Sequence, residues 1–138
     1  MPVAARLVAS VLLSGFLALP AHAQETAPAV APELSYSNKW RLEVSEGANN
    51  DGVMNFRVTP KGGAAIDIPV ALKKGRGEDG CARDIRDTFK KSLDKKAYKI
   101  ELDDGEDVLV KKDLTEPRFA LEVVSSTVKS VRLRLQKE

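Results

Sequence analysis

The segment Lys73–Asp84, KKGRGEDGCARD, decides how the rest of the chain is read. Gly75, Gly77 and Gly80 fall at the spacing G-x-G-x-x-G. An apolar run, Ile66–Leu72 (IDIPVAL), precedes them, and a helical pattern follows. In a nucleotide-binding βαβ unit such a loop brings backbone N–H groups to a pyrophosphate, and an acid roughly 20 residues on holds the ribose. Glu101 and Asp103 stand at about that separation from Gly80.

Four physical points oppose a dinucleotide. Glu78 and Asp79 fill the two positions before the last glycine, so two carboxylates would face the pyrophosphate. Parallel strands buried on both faces read as unbroken apolar runs, whereas Asp67, Lys99 and Glu101 interrupt these. No repeated βα units follow. An export leader, described below, removes the chain from the cytoplasmic cofactor pool. The loop is therefore expected to be a strand-to-helix joint, and no cofactor is assigned. A weaker alternative is a small-anion loop built from Lys74, Gly75, Arg76 and Gly77 at a helix start, with Lys73 beside it.

Outward from this loop the periodicity changes. Cys81, Ile85, Phe89 and Leu93 recur every four residues, with Ala82 and Ser92 beside them, which predicts one buried helix face from Asp79 to about Lys95. Asp79 is expected to cap its start. Asp84 and Asp87 early, and Lys90, Lys91, Lys95 and Lys96 late, complement the helix dipole. Upstream, Trp40, Leu42 and Val44 alternate with Arg41 and Glu43, and Met54, Phe56 and Val58 alternate with Asn55, Arg57 and Thr59. Both patterns predict half-buried strands. GANNDG (Gly47–Gly52) and PKGG (Pro60–Gly63) are turn chemistry. Pro69 inside the third run cannot donate to a ladder, so that strand is expected at an edge or at a bulge.

Downstream, Tyr98, Ile100 and Leu102 form a fourth strand, DDGE (Asp103–Glu106) a hairpin turn, and Val108–Lys111 a fifth strand. Phe119, Leu121 and Val123 make a sixth. Val131, Leu133 and Leu135, alternating with Arg132 and Arg134, make a seventh. The expected fold is α+β: about seven mostly antiparallel strands in a curled sheet, in the order βββαββββ, with one helix packed on one face.

The organisation reads as three segments. Met1–Ala23 has a basic start (Arg6), an apolar centre (Leu7–Leu19) and an Ala21-His22-Ala23 end, the layout of a cleaved signal peptide. Residues 24–34 (QETAPAVAPEL) form a Pro- and Ala-rich linker, and residues 35–138 a single domain. The expected location is the periplasm or the exterior, with no transmembrane segment after cleavage. Cleavage also removes His22, the one histidine, and with it His-based triads and His metal ligands. The formal net charge of +2 falls by one with Arg6, so composition gives no strong field toward nucleic acid or anionic lipid.

Other chemistry is sparse. Cys81 is the one cysteine, so no internal disulfide forms. Its place at a helix start leaves two readings: the first residue of the buried stripe, or a reactive thiol that links a dimer. The acidic turns at Asn49–Gly52 and Asp103–Asp107 miss the spacing of a calcium loop. A basic stripe of Arg132, Arg134 and Lys129, joined by Lys111, offers a contact for a protein partner. These features support a small exported domain, not an enzyme, that binds another protein as an inhibitor, immunity partner or accessory subunit. The alternative is a periplasmic carrier of a small apolar ligand, held between sheet and helix near Trp40, Phe56, Phe89 and Tyr98.

Overall fold

The computed structural model describes residues 32–138. The leader Met1–Ala23 and most of the linker lie outside the described residues. The element order is β1 (Lys39–Ser45), β2 (Gly52–Pro60), β3 (Ile66–Leu72), α1 (Glu78–Ser92), β4 (Tyr98–Asp103), β5 (Asp107–Lys112), β6 (Phe119–Ser126) and β7 (Arg132–Lys137). The fold is α+β, and every strand pair is antiparallel.

The single curled sheet is corrected. The strands divide into a four-stranded sheet, β4-β5-β1-β7, and a three-stranded sheet, β3-β2-β6, and neither is closed or strongly curled. Four connections cross between the sheets: β1–β2, β3–β4 through α1, β5–β6 and β6–β7, the first and last of them by the turns after β1 and after β6. The two turns lie together. The Asn50 side chain donates to Thr127 O at 3.0 Å and accepts from Lys129 N at 3.0 Å, while Asn49 N donates to Ser130 Oγ at 2.9 Å. Only the β2–β3 and β4–β5 connections are hairpins within a sheet.

The inward positions alternate as the sequence requires. Trp40, Leu42 and Val44 of β1, Phe56 and Val58 of β2, and Ile68, Val70 and Leu72 of β3 are all buried. They meet Cys81, Ala82, Ile85 and Phe89 of α1 in one apolar cluster. Helix α1 joins the edge strand β3 to the edge strand β4 of the other sheet. It packs beside β3 and against β4, β5 and β1. The helix thus extends the layer of the smaller sheet over the larger one. Three strands cannot cover four, and a helix about 10 Å across supplies the missing width. Phe56 and Phe89 meet edge to face at 5.1 Å, and Tyr98 and Phe119 at 5.2 Å. As expected, β3, which carries Pro69, is an edge strand.

Candidate functional site

The glycine loop is a joint between layers. Lys74 N donates to Asp51 Oδ1 at 2.8 Å, Gly75 N to Ala48 O at 2.8 Å, and Arg76 N to Lys73 O at 3.1 Å. In return Ala48 N donates to Arg76 O at 2.8 Å. Lys74 N and Gly75 N are therefore engaged with the β1–β2 turn, and Arg76 N within the loop itself. The Arg76 guanidinium grips Asp84 in a fork, Nε to Oδ2 at 2.9 Å and Nη2 to Oδ1 at 2.5 Å. Gly77 is the residue before the helix and no side chain caps it, so Asp79 lies inside the first turn and is not the cap. The strands before and after the helix belong to different sheets, so the G-x-G-x-x-G spacing lies outside any parallel βαβ unit.

Cys81 is fully buried, and its thiol donates to Arg76 O at 3.7 Å. Burial pushes the thiol pKa up. Trp40, Phe56, Phe89 and Tyr98 are all buried; Trp40 donates its indole N–H to Phe119 O at 2.9 Å. Of these four, Tyr98 reaches the floor of two surface concavities.

The proposed contact residues share one face unevenly. Register places Arg132 and Arg134 on the outer face of the edge strand β7, opposite Ser45 and Glu43. Both are exposed. Arg132 lies 3.6 Å from Glu46, and Arg134 has no ion pair among the described residues. Lys129 lies in the β6–β7 turn. Lys111 is on the same outer face but two strands away, on β5. Between them Arg41 bonds Asp107 at 2.6 Å, Asp103 at 3.0 Å and Glu138 at 2.5 Å. These three carboxylates raise its already high pKa further, Glu138 most.

Lys111 belongs instead to a lysine-rich end that composition did not disclose. Pairing sets Lys99, Lys111 and Lys39 side by side on three neighbouring strands. Like charges in direct opposition destabilise a sheet. Lys99 leans to Glu101 at 2.9 Å and Lys39 pairs with Glu138, which leaves Lys111 without an ion-pair partner among the described residues. Lys95 and Lys96 from the α1–β4 connection join Lys111, Lys112, Tyr98 and Leu114 around a concavity of about 400 Å³. A second, of about 460 Å³, continues from Lys95 and Lys99 to Lys90 over Leu93 and Ile100.

Three acids at this end have partners. Asp87 pairs with Arg86 at 2.8 Å, and Asp94 accepts from Lys96 N at 2.9 Å. Asp113 accepts from Thr115 N at 3.3 Å and Thr115 Oγ1 at 3.1 Å, and these bonds hold its carboxyl below the usual range. The sequence signal was present in three of the four Lys-Lys doublets, 90–91, 95–96 and 111–112; the fourth, 73–74, precedes the other end of the helix. Only the β4–β5 hairpin and the helix end bring the three together. The opposite end of the helix mixes both signs: Glu46 N donates to Glu78 Oε1 at 3.0 Å and a Cβ at Gly105 would lie 3.2 Å from Asp79 Oδ1, while Lys73, Lys74 and Arg76 precede the helix. Among the described residues no group of His, Cys, Asp and Glu is arranged to hold a metal ion, and no helix is long and apolar enough to cross a membrane. No protein-family model, curated protein or solved structure matches the chain.

Proposed function

We propose that the chain is a small exported domain, without catalytic activity, that binds another protein. The observation that carries this reading is the free edge of β7. Among the described residues no strand pairs with its outer side, and Arg132 and Arg134 flank that edge in solvent. An extended acidic segment could add to such an edge, with main-chain hydrogen bonds giving affinity and the two guanidinium groups selecting carboxylates. Export rests on the leader Met1–Ala23 alone. Protein recovered from the producing cell should be found in the periplasm or medium with Gln24 as its first residue. Residues 32–138 include no histidine, which supports a binding role over acid–base chemistry.

The test begins with capture from the periplasmic fraction. The captured protein is then purified and titrated calorimetrically against the native domain and against Arg132→Glu/Arg134→Glu. Loss of affinity of at least about tenfold is expected from reversing two contact charges. Equal affinity would remove β7 from the interface. For the carrier alternative, native mass spectrometry of the purified protein decides: a co-purifying small apolar mass would favour it.

A further inference from the structure

The lysine-rich end is the strongest charged feature of the fold, and it lies away from the β7 edge. We propose that this end docks on an anionic phospholipid surface, with Leu114 as the residue that enters the bilayer. Four observations converge on it. Lys90, Lys91, Lys95, Lys96 and Lys111 have no ion-pair partner among the described residues. The neighbouring acids keep their charge but are outnumbered: Asp87, Asp94, Glu101, Asp113 and Glu116 stand among Arg86, Lys90, Lys91, Lys95, Lys96, Lys99, Lys111 and Lys112, so this end stays net positive. The Lys99–Lys111–Lys39 row is a juxtaposition of like charges that the sheet alone does not need. Leu114 is 94% exposed and borders the concavity formed by Lys95, Lys96, Lys111 and Lys112.

Leu114 is also held in place. Asp113 N donates to Ala97 O at 2.8 Å and Glu116 N to Asp113 O at 3.1 Å. With the two bonds from Thr115 to the Asp113 carboxylate, they fix the turn that presents the leucine. A lone exposed leucine is ordinary. One fixed at the border of a concavity lined by Lys95, Lys96, Lys111 and Lys112 has the composition of a peripheral membrane anchor, charge attraction beside a single apolar insertion. The cations are all lysine. Compact ammonium groups on flexible stems suit a fluid array of phosphates, whereas a fixed anion or a single carboxylate partner favours the arginine fork.

Flotation with vesicles tests the proposal on protein purified from the cells that make it, with the N-terminus it carries there. All variants share that N-terminus, so differences among them report this end alone. Binding is expected to phosphatidylcholine vesicles containing about one-third phosphatidylglycerol and not to phosphatidylcholine alone, with release at high salt. Each lysine near an anionic surface is worth about a fivefold change in partitioning. Lys95→Glu/Lys96→Glu should therefore weaken binding at least about twentyfold. Leu114→Ser should weaken it severalfold, while Lys129→Glu, in the β6–β7 turn, should leave it unchanged. Unaltered melting temperatures confirm that each variant is folded. The proposal is overturned by absence of binding to the anionic vesicles, by equal binding to neutral ones, or by indifference to the Lys95/Lys96 reversal. Binding of an acidic polypeptide without any binding to vesicles would also overturn it, and would make this end a protein interface.

Discussion

At Gly47 the β1–β2 turn closes on the glycine loop. A Cβ there would lie 2.4 Å from Arg76 O, closer than any real contact, and the blocking atom is backbone. Gly47→Ala is expected to destabilise the domain by about 1–3 kcal/mol, read from urea unfolding, because the turn and the glycine loop must part to admit the methyl. Cys81 gives a second prediction at this scale. Its thiol is fully buried and its pKa is raised, so an aromatic disulfide reagent should label it only after denaturant is added. Fast labelling of the native protein would restore the reactive-thiol reading and the dimer linked through it. The sequence placed Cys81 at the head of the buried helix stripe, which the structure bears out. It did not indicate that Gly47, nearly thirty residues before Arg76, is the partner of the glycine loop, since a close approach between distant backbones leaves no local pattern.

Helix α1 shows how an element is fixed by its period and placed by its neighbours. The four-residue spacing of Cys81, Ile85 and Phe89 marks the buried face, and these three side chains are fully buried. The end at Ser92 comes earlier than the charge pattern suggested, because Leu93 turns extended and Asp94 starts a tight turn, accepting from Ala97 N at 3.0 Å and Tyr98 N at 2.9 Å. Phe89 binds the layers: it stacks on Phe56 of the smaller sheet while its helix lies over the larger one. Phe89→Ala should cost about 3–5 kcal/mol by chemical denaturation, the range for an aromatic removed from a closed core. Strand β7 should behave differently. Arg132 and Arg134 point to solvent, so their reversal is expected to change stability by no more than about 0.5 kcal/mol while altering partner affinity.

At the scale of the molecule, carboxylates near bases make stability depend on pH with a definite sign. Lys39, then Arg41, hold the Glu138 carboxyl below its ordinary value; Arg57 does so for Asp67, Arg86 for Asp87 and Lys99 for Glu101. A carboxyl whose folded pKa is depressed contributes stability above its unfolded pKa and loses that contribution as pH falls through the folded one. The melting temperature should thus be level near neutrality and fall from about pH 4.5 downward. Added salt should reduce the size of the fall, since these pairs are exposed and screened. A profile that rose on acidification would mean that the ion pairs do not form in solution. Both sheets and the helix share one apolar cluster, so fluorescence of Trp40 and far-ultraviolet dichroism should report the same single transition.

The type and order of the elements were legible from the chain alone, since a two-residue or 3.6-residue period is imposed by backbone geometry and by which side of a segment faces water. Pro69 announced an edge for the same local reason: a missing N–H cannot sit between two partners. The division into two sheets was not legible. An alternating strand buries one face equally well in a curled sheet or in either of two stacked ones, and only the pairing of β1 with β7 and of β2 with β6 settles the choice. The placement of charge was not legible for a related reason. Composition sums charges without positions, whereas the fold brings Lys90–Lys91, Lys95–Lys96 and Lys111–Lys112 to one end of the helix.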